Sequence, residues 1–151
     1  MYSKKLIPIS LGICLLVLVM VIIGCSSSTS STSSSDSSGT STNNEISFKN
    51  DVLPVLTSNC VVCHQGSSPP GNLNLEPANA FNDLVNAPSI QSSLMLVDPG
   101  APDKSYLMNK LNGTQTDVGG SGVQMPYGAP PLSQEQIDTI SRWISENAPD
   151  N

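Results

Sequence analysis

The chain has few histidines, few aromatic side chains and little positive charge. Its 151 residues include one histidine and 4% aromatic residues, and six Lys and Arg face twelve Asp and Glu. The basic residues form no cluster in the region that follows residue 25. A basic patch is the electrostatic footprint of nucleic-acid binding, so we expect no nucleic acid as a partner, whereas an acidic surface favours cationic partners.

The first 25 residues have the pattern of an export signal. A short basic start, "MYSKK", precedes an apolar run from Leu6 to Ile23, which is the order found in secretory signals. The run ends in "IIGC", which resembles the lipobox of bacterial lipoproteins and predicts cleavage before Cys25 and lipidation of that cysteine. The apolar run also reaches the length of about 18 residues needed for a membrane-spanning helix, so an uncleaved anchor is the alternative.

A polar tract separates this signal from the rest of the chain. Residues 26 to 45 are mostly Ser and Thr and contain no large apolar side chain, so they cannot bury enough surface to offset the entropy of ordering. We therefore predict a lipoprotein signal peptide at 1–24, a lipidated cysteine with a disordered tether at 25–45, and one folded domain at 46–151. The processed chain has four basic and twelve acidic residues, which gives a net charge of −8.

The only histidine follows a Cys-x-x-Cys pair in "SNCVVCHQGSS". Two of the four cysteines lie in or at the end of the signal, so Cys60 and Cys63 are left to the folded domain. The order C-x-x-C-H is the attachment signature of haem c, in which both thiols bond to the haem and the histidine binds its iron. If this stretch is one helical turn, both sulfurs lie along one edge of the porphyrin. We therefore predict one covalent haem c held by Cys60, Cys63 and His64.

Two other uses of these side chains stay open. A structural zinc site usually takes four Cys or His ligands, and the domain offers three, so a carboxylate or water would have to complete the site. A redox-active dithiol of the thioredoxin kind belongs to a βαβ unit. The sequence does not indicate such a unit, because the domain has few alternating β-branched runs and many Pro, Gly and Asn.

An amphipathic segment leads directly into the motif. In "ISFKNDVLPVLTSNC" the apolar residues Phe48, Val52, Val55 and Leu56 recur at helical spacing. Pro54 interrupts the pattern in one of two ways. Either it kinks this helix, or it stands in the first turn of a helix that begins beside it.

A second amphipathic helix is predicted near the C-terminus, in "PPLSQEQIDTISRWISENAP". Ser133 and Gln136 have the spacing of a capping box, and Pro149 is expected to stop the helix. Its apolar positions are Ile137, Ile140 and Ile144, with Trp143 beside them. Between the two ends we predict a short helix in "PANAFNDLV", another from an Asp103 cap to Gly113, and loops elsewhere. The fold class predicted is therefore all-α.

A haem has a second face, and the domain contains no second histidine to bind there. The methionines beyond the signal are Met95, Met108 and Met125. We interpret Met95 and Met108 as core side chains, the usual role of methionine. Met125 follows a glycine-rich loop and precedes Pro126, which favours an extended backbone. A thioether on such a loop is free to reach the iron, so we predict Met125 as the distal ligand.

These features together resemble the class I (monohaem) cytochrome c domain. The resemblance covers Ile46 to Asn147. Within that class, the chain most resembles the small domains found in exported proteins of planctomycetes and many other bacteria. The stretches that carry it are "DVLPVLTSNCVVCHQG", "GNLNLE", "LVDPGAPDKSYLMNKLNG" and "MPYGAPPLSQEQIDTISRWI". It implies a class I cytochrome c-like fold, in which a few short helices and long loops wrap around the haem. The first and last helices would cross and pack Phe48 against Trp143.

The resemblance also implies details of the haem site. His64 is the proximal ligand, and a proline carbonyl after the motif accepts the hydrogen bond from its other ring nitrogen, with Pro69 and Pro70 as candidates. A glycine commonly follows the motif directly. Gln65 stands at that position here, and Gly66 is the candidate for the turn.

Electron transfer, rather than catalysis, is the function that the resemblance implies. With His64 and Met125 bound, the iron has no open position, and the thioether favours the reduced state. We therefore expect an electron carrier, not an enzyme, that serves redox partner proteins and is tethered to a membrane by lipid. The alternatives are a five-coordinate haem enzyme or gas sensor and a zinc-stabilised lipoprotein that binds another protein. The expected location is the periplasm or the cell surface, and Ser26 favours the outer membrane.

Overall fold

The computed structural model describes residues 45–151. The predicted signal peptide, Cys25 and nearly all of the predicted tether lie outside the described residues. The described part of the chain is helical and has no β-strand, and isolated bridges join Val85 to Val97 and Pro88 to Met95. Its α-helices are α1 (Leu53–Asn59), α2 (Ala80–Leu84), α3 (Tyr106–Asn112) and α4 (Gln134–Ser145). The prediction of a helical domain is confirmed, and none of these helices is long and apolar enough to span a bilayer.

The segment before the motif is helical in two parts. Residues Phe48–Val52 form a π-helical turn that continues into α1. Pro54 lies in the first turn of α1, where its missing N–H leaves no hydrogen bond unmade. The second of the two interpretations of this proline is therefore correct. Phe48, Val52 and Leu56 are buried, as predicted, and Val55 is half-buried.

The last helix has the predicted start but ends earlier than predicted. Ser133 and Gln136 form the capping box through both of its hydrogen bonds. Helix α4 stops at Ser145, four residues before Pro149. Its last carbonyls are taken by other parts of the chain, because Gly100 N–H donates to Ile144 at 2.7 Å and Ala148 N–H donates to Trp143 at 2.9 Å. The end of the helix is therefore set by these bonds and not by the proline.

Helix α3 ends where predicted but begins differently. Pro102–Lys104 is a separate 3₁₀ turn, so Asp103 does not cap α3 and that prediction is wrong. Ser105 occupies the N-cap position of α3 instead, and its buried hydroxyl donates to Ala101 O at 2.9 Å. Gly113 terminates the helix with φ 74°, a left-handed conformation that glycine adopts without steric cost.

Aromatic contacts join the two ends of the domain. The ring centroid of Phe48 lies 5.2 Å from that of Trp143 and 5.3 Å from that of Phe81. The contact between Phe48 and Trp143 that the resemblance implies is therefore present. Met108 is buried in the same core, whereas Met95 is 42% exposed. The interpretation of Met95 as a core residue is therefore wrong. The backbone of Met95 forms the bridge with Pro88, and its carbonyl accepts the hydrogen bond from Tyr106 N–H at 2.9 Å.

Glu146 ties the beginning of the described domain to α4. Its carboxylate accepts hydrogen bonds from Ile46 N–H at 2.7 Å and from Arg142 Nε at 2.8 Å. The bond from Ile46, above all, lowers the pKa of Glu146 below its usual value. A carboxyl whose folded-state pKa is depressed adds stability above its unfolded pKa, and this stability is lost as the pH falls through the folded pKa.

The variant Glu146→Gln should therefore be less stable than the parent at neutral pH, and its stability should depend less on pH in the acidic range. We expect the free energy of unfolding to fall less steeply as the pH drops below about 4.3, the ordinary glutamate pKa. Urea unfolding followed by circular dichroism at a series of pH values measures this slope. Glu45→Gln, which removes an exposed carboxylate beside Ile46, is the matched control for the loss of one negative charge. Equal slopes in Glu146→Gln and the parent would contradict the assignment.

Candidate functional site

The cysteines and the histidine of the motif lie in one tight turn at the end of α1. Cys60 N–H donates to Leu56 O at 2.8 Å, and the amides of Cys63 and His64 donate to Cys60 O at 3.1 and 2.9 Å. Cys60–His64 therefore forms a single hydrogen-bonded turn. Cys60 is half-buried against the core, Cys63 is exposed and His64 is half-buried.

The two thiols are free, and one of them is held in its protonated form. Burial raises the pKa of the Cys60 thiol to about 11, and the neighbouring Cys63 adds to this effect. Cysteines that exchange disulfides need a lowered pKa, because the thiolate is the nucleophile. The environment of Cys60 therefore disfavours it as the attacking thiol of a redox-active dithiol.

The ring of His64 is oriented by a backbone carbonyl. Its Nδ1 lies 3.2 Å from Leu73 O. Because a carbonyl can only accept, Nδ1 carries the proton, and the lone pair of Nε2 is left for a metal. The partner is Leu73 and neither Pro69 nor Pro70, whose carbonyls accept from the amides of Asn72 and Leu73 at 3.0 and 3.4 Å.

Two consecutive left-handed residues explain why Leu73 takes this position. Gly71 and Asn72 have φ 69° and 54° and turn the chain back toward the motif. The returning segment then lies beside His64, since Leu75 N–H donates to His64 O at 2.8 Å. His64 is thus bound to the same segment through both its ring and its backbone.

Side chains of the same segment fasten the loop that follows the motif. Asn74 Nδ2 donates to Gly66 O at 3.1 Å and to Glu76 Oε2 at 2.9 Å, and Gly66 N–H donates to Glu76 Oε2 at 3.2 Å. The bond from Asn74, followed by that from Gly66, lowers the pKa of the Glu76 carboxyl. Gly66 has φ 81° and makes the turn predicted for it. The stretch "GNLNLE" therefore positions His64, a role that its sequence alone does not indicate.

Met125 lies on a different segment, the loop between α3 and α4. Its side chain is half-buried, its N–H donates to Lys110 O at 2.8 Å, and its peptide bond to Pro126 is cis. It lines a cleft of about 320 Å³ formed by residues 123–129 and Pro131. No residue of the Cys60–His64 turn lines this cleft, and no hydrogen bond between described residues joins the two segments. The structure thus brings together three of the predicted haem-site residues and leaves Met125 on a separate loop.

Both segments carry apolar side chains that the polypeptide leaves exposed. Val62 in the turn is 76% exposed, and Val123 and Tyr127 in the Met125 loop are 50% and 74% exposed. A porphyrin is a large apolar ring that needs apolar side chains against it. The turn therefore offers two thiols, an Nε2 lone pair and an exposed apolar side chain, which are groups that haem c uses, and the separate Met125 loop offers a thioether and further apolar side chains. Within residues 45–151 no three His, Cys, Asp or Glu side chains cluster closely enough to hold a metal ion by themselves.

Family models, curated proteins and solved structures were each compared with this chain, and none of the three comparisons found a match.

Proposed function

We propose that residues 46–151 are a class I, monohaem cytochrome c domain that carries electrons. The observation that supports this most strongly is the turn at the end of α1. It places two free thiols beside a histidine whose Nδ1 is committed to Leu73 O, at 3.2 Å, and whose Nε2 is available to a metal. A structural zinc site usually takes four Cys or His ligands, and within residues 45–151 no group of three His, Cys, Asp or Glu side chains lies closely enough together to hold a metal ion.

Each residue of the turn has a distinct task in this proposal. Cys60 and Cys63 would hold the haem covalently, each adding its S–H across a vinyl group so that a carbon–sulfur bond forms and the proton goes to the other vinyl carbon. His64 would bind the iron through Nε2, with Leu73 keeping the ring in orientation. The bound haem would supply an iron that alternates between the ferrous and ferric states.

Met125 has two tasks under this proposal. Its thioether would occupy the distal position and favour the reduced state, as methionine ligation does in cytochromes c. It would also exclude small molecules from the iron, which makes the protein a carrier and not an enzyme. The half-buried position of Met125 beside Val123 and Pro126 is compatible with both tasks.

The N-terminal segment would confine this carrier to a membrane. We propose that Cys25 is lipidated after removal of residues 1–24, and that residues 26–45 tether the domain at the periplasmic or cell-surface side, preferentially of the outer membrane. Two or more acyl chains hold a protein at a bilayer far more firmly than one. The net charge of −8 in the processed chain favours redox partners with cationic docking surfaces.

Carbon monoxide distinguishes this proposal from a five-coordinate haem enzyme or gas sensor. In the reduced full-length protein, an intact bond between Met125 and the iron should make carbon monoxide binding slow and incomplete at low gas concentration. Stopped-flow absorbance in the visible region measures the rate and the stoichiometry. Rapid, stoichiometric binding would contradict the carrier function and favour the sensor or enzyme.

A further inference from the structure

The loop that carries Met125 is held by a buried lysine. Lys110 lies in the last turn of α3 and is only 9% exposed. Its Nζ donates to Val123 O at 2.6 Å and to Ser121 O at 3.2 Å. Both carbonyls belong to the four residues before Met125, so the ammonium group holds the loop to α3 immediately before the predicted ligand.

The backbone of Lys110 binds the same loop a second time. Its carbonyl accepts the N–H of Met125 at 2.8 Å, and the neighbouring Leu111 O accepts from Gln124 Nε2 at 2.8 Å. The last carbonyls of a helix have no partner within the helix. The Met125 loop therefore caps α3, and Lys110 fixes it at both ends of the Ser121–Met125 segment.

No carboxylate accounts for the burial of this lysine. The ion pairs described in residues 45–151 are Lys49–Asp150 and Arg142–Glu146. The Lys110 ammonium is satisfied by carbonyl dipoles instead. Lysine is rarely buried, and a buried charge without an opposite charge is costly. A methionine or leucine would fill the same place on α3 without that cost, so the burial is explained by the hydrogen bonds to the loop.

We propose that Lys110 is the positioning residue for Met125. This inference rests on the proposed function, since it assigns a role in keeping the thioether of Met125 at the iron. Lys110 does not touch the iron in this account. It restricts the loop by two charge-assisted hydrogen bonds from Nζ and one bond to its carbonyl, so that the thioether dissociates rarely.

The test uses the full-length, haem-loaded protein with Lys110→Met, and Lys104→Met as the matched control. Lys104 is an exposed lysine on the 3₁₀ turn before α3. Imidazole added to the ferric protein replaces the thioether only when the loop opens, so its rate of binding reports loop opening. Loss of two hydrogen bonds from a charged donor should accelerate this replacement by about tenfold or more. It should also weaken the far-red absorption band of the thioether–ferric bond, while Lys104→Met changes neither quantity.

Two further variants separate positioning from general stability. Lys110→Gln keeps one polar donor in place and should give an intermediate rate, and it also serves if Lys110→Met does not fold. Ile140→Val removes one methyl group from α4, whose side chain at this position is fully buried, and should lower stability without changing the imidazole rate. Parent-like rates in both Lys110 variants would overturn the role of Lys110. Absence of the far-red band in the parent protein would instead overturn the proposed ligation by Met125.

Discussion

Replacing both motif cysteines, as Cys60→Ala with Cys63→Ala, should abolish covalent haem attachment in the full-length exported protein. The two thiols are the only cysteine side chains beyond the predicted lipidation site, so no other thioether can form. Haem held only by His64 and Met125 would dissociate in acidified acetone, whereas haem held by thioethers stays with the polypeptide. Intact-protein mass spectrometry and acid–acetone extraction measure this loss directly.

Single substitutions provide the internal comparison for this result. Cys60→Ala and Cys63→Ala should each retain haem through the remaining thioether, in smaller yield. Ser58→Ala, a substitution at an exposed position of α1 that precedes the turn, should keep the yield of the parent. Covalent haem in the double variant, or a parent protein that contains zinc in place of haem, would contradict the assignment of the turn.

Replacing Met125 by alanine should remove one ligand of the iron and leave one coordination position open to small molecules. The far-red band of the ferric protein should disappear, and the reduced protein should bind carbon monoxide rapidly. The reduction potential should fall by a sizeable part of the range of about 0.8 V over which axial ligands set haem potentials. Visible spectroscopy and a redox titration of the variant beside the parent measure all three changes.

Two other methionines serve as controls for this prediction. Met108→Leu changes a buried core residue at nearly constant volume, and Met95→Leu changes an exposed one. Both variants should keep the band, the potential and the slow reaction with carbon monoxide. If Met125→Ala resembles them and the parent in all three measurements, then Met125 is not a ligand, and the five-coordinate alternative gains support.

Local sequence signals predicted the parts of this fold that depend on neighbouring residues. The capping box at Ser133 and Gln136 and the end of α3 at Gly113 each depend on residues within one or two helical turns. The sequence left two positions open for Pro54, and the structure places it in the first turn of α1. The contact between Phe48 and Trp143 came from the resemblance to a known family, because no local rule brings together residues so far apart in sequence.

The failures involve bonds between distant segments. Asp103 was a reasonable helix cap by residue type, but the 3₁₀ turn at Pro102–Lys104 ends before α3 begins. The partner of His64 is a backbone carbonyl, which every residue possesses, so nothing in the identity of Leu73 indicates its role. The sequence likewise does not indicate that Lys110 is buried, because a lysine in the last turn of a helix normally extends into solvent.

The most direct test of the central claim is a redox-titrated visible spectrum of the full-length protein extracted from membranes. A monohaem carrier with His64 and Met125 as ligands should give the sharp ferrous bands of haem c, a far-red band in the ferric state, and a single one-electron transition. A spectrum without haem bands would contradict the claim that the turn at Cys60, Cys63 and His64 binds haem. Haem bands without the far-red band, in a protein that titrates reversibly, would contradict the ligation by Met125 and hence the closed iron on which the carrier function depends.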